Sequence, residues 1–183
     1  LKALLDDAAF MAKLRAEKTR VQAGFLAQDP VTGHVLAWVG SRDFAQDPFD
    51  HVQAARRQPG STFKPFVYGA AFANGATPED TLMDTAVEIP LGGGRVWRPT
   101  DGGPPSDQPM TLADGLAFSK NTITAQVMQQ VGPARVAEVA RALGVRQSKL
   151  EEVPSLALGT SPVTLKEMIS AYSSIVNLGR YVE

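Results

Sequence analysis

Ser61 and Lys64 stand three residues apart in the stretch Arg56-Arg57-Gln58-Pro59-Gly60-Ser61-Thr62-Phe63-Lys64-Pro65. A hydroxyl is a poor nucleophile until a base takes its proton, and an amine can be that base once burial or nearby positive charge favours its uncharged form. Residues i and i+3 of a helix share a face, with Cβ atoms about 5–6 Å apart, so the two groups can meet if a helix begins here. The local sequence supports that start. Ser61 suits a helix N-terminus, Pro65 is tolerated in the opening turns, and the run to about Asn74 ends before Gly75, which fits a left-handed stop. The positive end of such a helix favours both an alkoxide and a neutral amine, and its free N–H groups can hold a developing oxyanion.

A second set of groups, Ser119-Lys120-Asn121, falls in a break between two predicted helices. Thr111 caps the first, over Leu112 to Phe118, and the second runs from Thr122 to about Val131. Such a break can point side chains into a cleft, although taken alone it reads more readily as a capping turn. Ser148-Lys149 lacks any helix-start context and reads as a solvated face.

The other elements must position these two sets. Leu1, Leu4, Leu5, Ala8, Met11, Ala12 and Ala16 recur at three- and four-residue steps, predicting an amphipathic helix within residues 1–20 that packs on something downstream. Val21 to Gln28 and His34 to Val39 flank Asp29-Pro30-Val31-Thr32-Gly33 and predict a β-hairpin within residues 21–40. Residues 41–60 read as loop, and the Gly- and Pro-rich stretch from Thr77 to Gln108 as loops with one short hairpin near Val87 and Val96. Two further helices are bracketed by Pro133 and Gly144 (Ala134 to Leu143) and by Thr164 and Gly179 (Leu165 to Leu178), so the region 60–183 is mainly helical.

Composition removes several function classes. Hydrophobic residues make up 44% and charged residues 20% of the 183, ordinary globular usage. Eighteen Lys and Arg against 19 Asp and Glu give a net charge of −1 and no basic field, which argues against nucleic acid as a partner. With no Cys, thiol nucleophiles, disulfides and Cys-ligated metals are excluded. His34 and His51 have no second ligand at metal spacing, and Asp43, Asp47 and Asp50 are too loosely spaced for a calcium loop, so neither metal nor cofactor is expected. Gly92-Gly93-Gly94-Arg95 lacks the ending of a phosphate loop and reads as a turn, while Trp38 and Trp97 read as core before groove. The chain begins without Met and without a signal peptide's apolar run, as expected of a piece of a longer protein.

Taken together, Gly60-Ser61-Thr62-Phe63-Lys64-Pro65 and Ser119-Lys120-Asn121 resemble the Ser-x-x-Lys and Ser-x-Asn motifs of penicillin-binding proteins. Asp29 to Gly33 with Val39-Gly40 resembles the opening hairpin of the bifunctional, class A type, and Leu158-Gly159-Thr160-Ser161 with Thr164 to Tyr172 its downstream helix. The resemblance implies an α+β fold of the penicillin-binding protein and serine β-lactamase kind, with residues 21–183 a partial transpeptidase domain whose antiparallel sheet is incomplete. It implies that Ser61 attacks the penultimate D-alanine of a peptidoglycan stem peptide, that Lys64 is its base, that Ser119 relays a proton, and that Asn121 orients Lys64 and binds substrate backbone. Lys120 would be the variable middle residue. β-Lactams would acylate Ser61, and the parent protein would be membrane-anchored and extracytoplasmic.

One departure accompanies these matches. The third motif, Lys-Thr-Gly, is absent, since Lys18-Thr19 is followed by Arg20. The resemblance therefore implies a cleft lacking one wall, an unpaired sheet edge open to self-association, and weakened activity unless another segment supplies the strand. Two rivals share the first two motifs. A hydrolytic β-lactamase needs a further Glu, and neither Glu151-Glu152 nor Glu167 has the Glu-x-x-Leu-Asn context; a non-enzymatic β-lactam sensor or scaffold would keep acylation without turnover.

Overall fold

Short amphipathic helices dominate the second half of the chain because its apolar residues recur at helical spacing between well-formed caps. The structure, a computed structural model, describes residues 7–16 and 21–182. Helix α1 (Ala8–Ala16) begins after Asp7, whose carboxylate accepts the N–H groups of Ala9 and Phe10. The expected packing face is not found in its described part: Ala8, Ala9, Phe10 and Ala12 are all exposed, while Leu1, Leu4 and Leu5 lie outside the described residues.

Strands β1 (Phe25–Gln28) and β2 (Val35–Val39) form the expected antiparallel hairpin, with Phe25 opposite Val39 and Ala27 opposite Ala37. Asp29 organises its turn by accepting the N–H groups of Val31 and Thr32, and Gly33 takes a positive φ of 78°. Leu26 is the buried residue of β1, which lies against the last helix; Phe25, Val35, Leu36 and Val39 are exposed. Among the described residues no third strand pairs with this hairpin.

A single turn of 3₁₀-helix (Gly60–Phe63) runs directly into α2 (Lys64–Ala73), which stops at Asn74 with Gly75 at φ 96°. Ser61 does not cap this helix through its side chain; Pro59 precedes the turn instead, and the Ser61 hydroxyl is left for other use. Between α2 and the second motif, strands β4 (Ile89–Gly92) and β5 (Arg95–Trp97) make the expected short hairpin across Gly92-Gly93-Gly94. Strand β3 (Thr81–Met83) pairs with β6 (Pro109–Thr111) and closes the loop at its base. That pairing lies where the composition predicted loop, because three-residue strands show no alternation and Pro109 would ordinarily exclude one.

Thr111 caps α3 (Leu112–Ala117) by accepting the N–H of Asp114, and the chain then breaks before α4 (Asn121–Val131). Gly132, at φ 87°, and Pro133 reverse it into α5 (Pro133–Leu143). A second 3₁₀ turn (Pro154–Leu158) leads to α6 (Leu165–Val176), shorter at its end than the Thr164–Gly179 bracket suggested. The core lies between α2, α4 and α5: Phe63, Phe66, Val67, Tyr68, Ile123, Val127, Met128 and Val136 are all fully or almost fully buried, with Leu156 and Ala171 closing it. Each of the larger side chains contributes about 1.5–3 kcal/mol by leaving water. Trp97 packs at its margin, as expected, whereas Trp38 gives its indole N–H to Asp50 in the loop after the hairpin.

Glu167 shows how tightly α6 is fixed. It completes a capping box with Thr164, and its buried carboxylate also accepts the N–H groups of Gln147 and Ser148 and the Ser148 hydroxyl. Burial alone would raise its pKa, but the hydrogen bonds from Ser148, Thr164 and Gln147 win and hold it below the ordinary 4.5. A carboxylate so depressed stabilises the fold above the ordinary range, and that stability is lost as pH falls through the lowered folded value. Glu167→Gln is expected to cost about 1–3 kcal/mol near neutral pH. Urea midpoints should show the gap between variant and wild type narrowing in acid; a constant gap would contradict the assignment.

Candidate active site

The nucleophile candidate and its base candidate occupy opposite sides of the surface boundary. Ser61 is exposed on the 3₁₀ turn, while Lys64, the first residue of α2, is 1% exposed. The Lys64 N–H donates to the Ser61 carbonyl, the i to i+3 bond of a 3₁₀ turn, and in that geometry side chains three apart eclipse. The two groups therefore share a face more closely than α-helical spacing would give.

Lys64 Nζ reaches away from its own helix to the break between α3 and α4. It donates to Asn121 Oδ1 at 2.7 Å, to Ser119 Oγ at 3.0 Å and to the Ser119 carbonyl oxygen. The structure thus brings Lys64, Ser119 and Asn121 into direct contact, whereas a hydrogen bond from the Ser61 hydroxyl to this amine is not among the contacts of the described residues. Burial favours the uncharged amine and lowers the Lys64 pKa, with the negative charge of Asp101 opposing part of that effect.

Ser119 adopts φ 55°, a left-handed conformation that costs a non-glycine residue on the order of 1–3 kcal/mol. The closing bonds of α3, from Ser119 N–H to the Leu116 carbonyl and from Lys120 N–H to the Gly115 carbonyl, hold it there. Both its carbonyl and its hydroxyl consequently face Lys64. Asn121 is fixed from its other end: Nδ2 donates to the Thr100 carbonyl at 2.7 Å, which turns Oδ1 toward the amine, and its backbone N–H donates to Asp101 Oδ1 at 2.7 Å.

Three residues of this network carried no sequence signal. Lys120, expected to be the variable middle position, is an ion-pair partner of Asp84 at 2.9 Å and of Asp101 at 3.4 Å. Asp84 is wholly buried and accepts hydrogen bonds from the Thr122 hydroxyl at 2.6 Å and from the N–H and hydroxyl of Ser106. Burial opposes its ionisation, but these bonds and Lys120 hold its carboxyl far below the usual range. The spacing of Asp84 and Asp101 from Ser119-Lys120-Asn121, through a loop and a hairpin, follows no short pattern that a motif could reveal.

The nucleophile turn is held from the other side by the segment after Pro154. Arg57 and Val163 exchange both backbone hydrogen bonds, the Gly60 N–H meets the Gly159 carbonyl, and the Tyr172 hydroxyl donates to the Thr62 carbonyl at 2.8 Å. Glycine is required at 159 on two grounds. Its φ is 66°, and a Cβ there would lie 2.3 Å from the Gly60 oxygen. Beside this turn runs an open groove of about 760 Å³, lined by Gln22, Pro59, Thr62, Val163, Met168 and Tyr172; it reaches the neighbours of Ser61 without including Ser61 itself. Glu167, committed to five backbone and hydroxyl donors, is not free to activate water. His51 pairs with Asp47, and among the described residues no cluster of acidic and histidine side chains could hold a metal.

The two sequence motifs of this α+β chain thus converge on one buried lysine. Residues 23–183 match the penicillin binding protein transpeptidase domain, and the chain belongs to that family. It is 38% identical over 165 residues to penicillin-binding protein 2D of Bacillus subtilis, covering 89% of this chain and 24% of that protein. The crystal structure of penicillin-binding protein 1A from Haemophilus influenzae superposes with a TM-score of 0.79 at 31% identity, covering 84% of this chain and 23% of that one. PonA1 of Mycobacterium tuberculosis shares the fold, with a TM-score of 0.76 at 23% identity over 93% of this chain and 48% of that one. The chain spans about a quarter of the length of its curated relative. The fold expected from the motifs is the one found.

Gly159→Ala is expected to push the Gly60-Ser61 turn out of place, destabilising the protein by about 1–3 kcal/mol and slowing any acylation of Ser61 more than the loss of stability explains. Thermal unfolding and acylation rates measured side by side would check this. Normal rates with a normal melting temperature would show the contact to be dispensable.

Proposed function

We propose that this chain carries the first two catalytic motifs of a peptidoglycan D,D-transpeptidase and that residues 21–183 are one partial transpeptidase domain, preceded by the helix within 1–20. The observation that carries the reading is the buried Lys64 amine, in contact with Ser119 and Asn121 and one turn along the chain from the exposed Ser61.

Valence assigns the roles. A charged Lys64 donates all three protons to its three oxygen partners; a neutral one donates two and needs a donor for its lone pair. The Ser119 carbonyl and Asn121 Oδ1 have no proton to give, so among the three only the Ser119 hydroxyl can face the lone pair. Ser119 is therefore the group suited to carry a proton on from the amine, and Asn121 the one that aims it. In the forward step Ser61 Oγ attacks the carbonyl of the penultimate D-alanine as its proton passes to Lys64 Nζ. The tetrahedral intermediate collapses with cleavage of the amide bond, and the proton moves through Ser119 to the departing D-alanine nitrogen, leaving an ester on Ser61. An amine from a second stem peptide then attacks the ester, giving up a proton along the same path, and the cross-linked product frees Ser61. A β-lactam opens on Ser61 by the same first step, in keeping with the names of the relatives. No cofactor takes part.

The groove beside the nucleophile turn, lined by Val21, Gln22 and Gly24 just before β1 and by Met168, Ile169 and Tyr172 of α6, has the place and the apolar lining for a further strand, which is where the family resemblance puts Lys-Thr-Gly. The same free edge would allow a second copy to associate. The relatives further suggest a membrane-anchored, extracytoplasmic protein; among the described residues no helix is long and apolar enough to cross a membrane. A sensor or scaffold of the same fold that is acylated without turnover is the second reading, because the contacts around Lys64 serve acylation equally in both.

Intact-mass analysis of the full-length protein after penicillin treatment should show one adduct, absent in Ser61→Ala; an adduct that survives that substitution would overturn the assignment. The acylation rate should climb with pH through a midpoint below the ordinary lysine value of 10.5, since the base must be uncharged and burial lowers its pKa. Lys64→Arg, which cannot lose its proton, should reduce the rate by about 100-fold or more. Cross-linking of stem peptides separates the transpeptidase from the sensor.

A further inference from the structure

Lys120 sits in the one position of its motif that the proposed chemistry leaves without a task, yet its ammonium is turned inward. Only 17% of its side chain is exposed, and Nζ lies between the carboxylates of Asp84 and Asp101. Asp101 touches the site on two sides at once. Its Oδ1 receives the backbone N–H of Asn121, and its Oδ2 lies near Lys120 Nζ and 3.2 Å from the Thr122 hydroxyl. The preceding carbonyl, that of Thr100, receives the Asn121 side-chain N–H. The residue that aims the Lys64 amine is thus gripped at backbone and side chain by two consecutive residues of the loop after β5.

That arrangement carries an electrostatic hazard. A buried amine beside an ionised carboxylate would normally be captured as an ion pair and so lost as a base. Here a different lysine, the immediate sequence neighbour of both Ser119 and Asn121, takes the carboxylates. We propose that Asp101 and Lys120 are positioning residues of this centre: Asp101 fixes Asn121 against Lys64, and Lys120 neutralises Asp101 and Asp84 so that their charge does not claim the Lys64 amine.

Geometry and charge point the same way. Asp101 is the charged group whose field raises the Lys64 pKa against the lowering by burial. The other ionisable groups around the pair are Asp84, Lys120 and Tyr68 on α2; the Tyr68 phenol, bonded to Thr124 and pushed up to about 12 by burial, stays neutral. Lys120 itself remains charged, its pKa raised by the hydrogen bond to Asp84. Removing the Asp101 charge should therefore lower the Lys64 titration midpoint, and removing the Lys120 charge should raise it.

The inference rests on Lys64 being the base proposed above, but it can be read without acylation. In the full-length protein labelled with ¹³C at lysine Cε, with Lys64 assigned by its loss in Lys64→Arg, the Lys64 midpoint should move down in Asp101→Asn and stay near wild type in Lys120→Arg. Asp101→Asn retains an oxygen for the Asn121 N–H, so the fold should persist. Lys120→Met should move the midpoint up; if the unpaired Asp84 prevents its folding, Lys120→Met in an Asp84→Asn background reads the same sign. Penicillin acylation supplies the second arm: Asp101→Ala, which also releases Asn121, should slow it on the order of 100-fold, and Asp101→Asn should recover most of that. An unmoved Lys64 midpoint in Asp101→Asn, or equal rates in the Ala and Asn variants, would overturn the proposal. Shifted midpoints in a protein that penicillin does not label would instead sink the transpeptidase reading and leave this one standing.

Discussion

The structure turns on a single contact set, the buried Lys64 amine on the oxygens of Ser119 and Asn121. A lysine amine removed from water must either lose its charge or find enough oxygen to keep it, and in this site the two demands oppose each other. Three acceptors suffice to hold an ammonium; burial pulls toward the amine. An environment in which neither state is strongly preferred is what a group needs if it is to take up a proton and then release it. The strain of Ser119 and the close packing of α2 on α4 both follow from holding those oxygens where the amine ends.

Around that contact set, charges are kept apart by assignment to partners. Asp84 is saturated by Thr122, Ser106 and Lys120, and Glu167 by Thr164, Gln147 and Ser148. Both carboxylates are ionised and buried, and neither is free to take a proton from a water or from Ser61. The distinction matters for rival chemistry, because a deacylating hydrolase needs a carboxylate with an open face. Glu167 has the right element type and none of the freedom.

The residues of the proposed centre were legible from sequence because their spacing is local. Ser61 with Lys64, Ser119 with Asn121, the Asp29 turn, the Thr111 and Thr164 caps and the Gly75 stop each depend on contacts within four residues, where backbone geometry alone decides what can meet. Asp84, Asp101 and the β3–β6 pairing were not legible, because each depends on where a stretch of about twenty residues or more folds back. Periodicity in the first helix reports which face is apolar and does not say whether a partner lies against it; of that face Ala8 and Ala12 are exposed and Met11 is half-buried. The tight turn at Gly60 shows the limit inside a well-read motif: a helix was expected, and a 3₁₀ turn was found, because Gly60 at φ 59° and Pro65 at the second α-helical position let the chain enter tightly.

That substitution of one helix type for another carries a consequence for reactivity. A nucleophile must face substrate while its base stays dry, and in a regular α-helix residues three apart share a face but are offset by about 60° of rotation. A 3₁₀ turn removes the offset, so the line from Ser61 to Lys64 runs straight across the boundary between solvent and core. Such a turn is intrinsically weaker than α-helix and needs outside support. The Gly60–Gly159 contact, the Arg57–Val163 bridge and the Tyr172 bond to Thr62 are that support, and all three come from the segment between Pro154 and Val176. The Leu158-Gly159 stretch and α6 therefore belong to the reacting centre as surely as the motifs do, although none of their side chains meets the Lys64 amine.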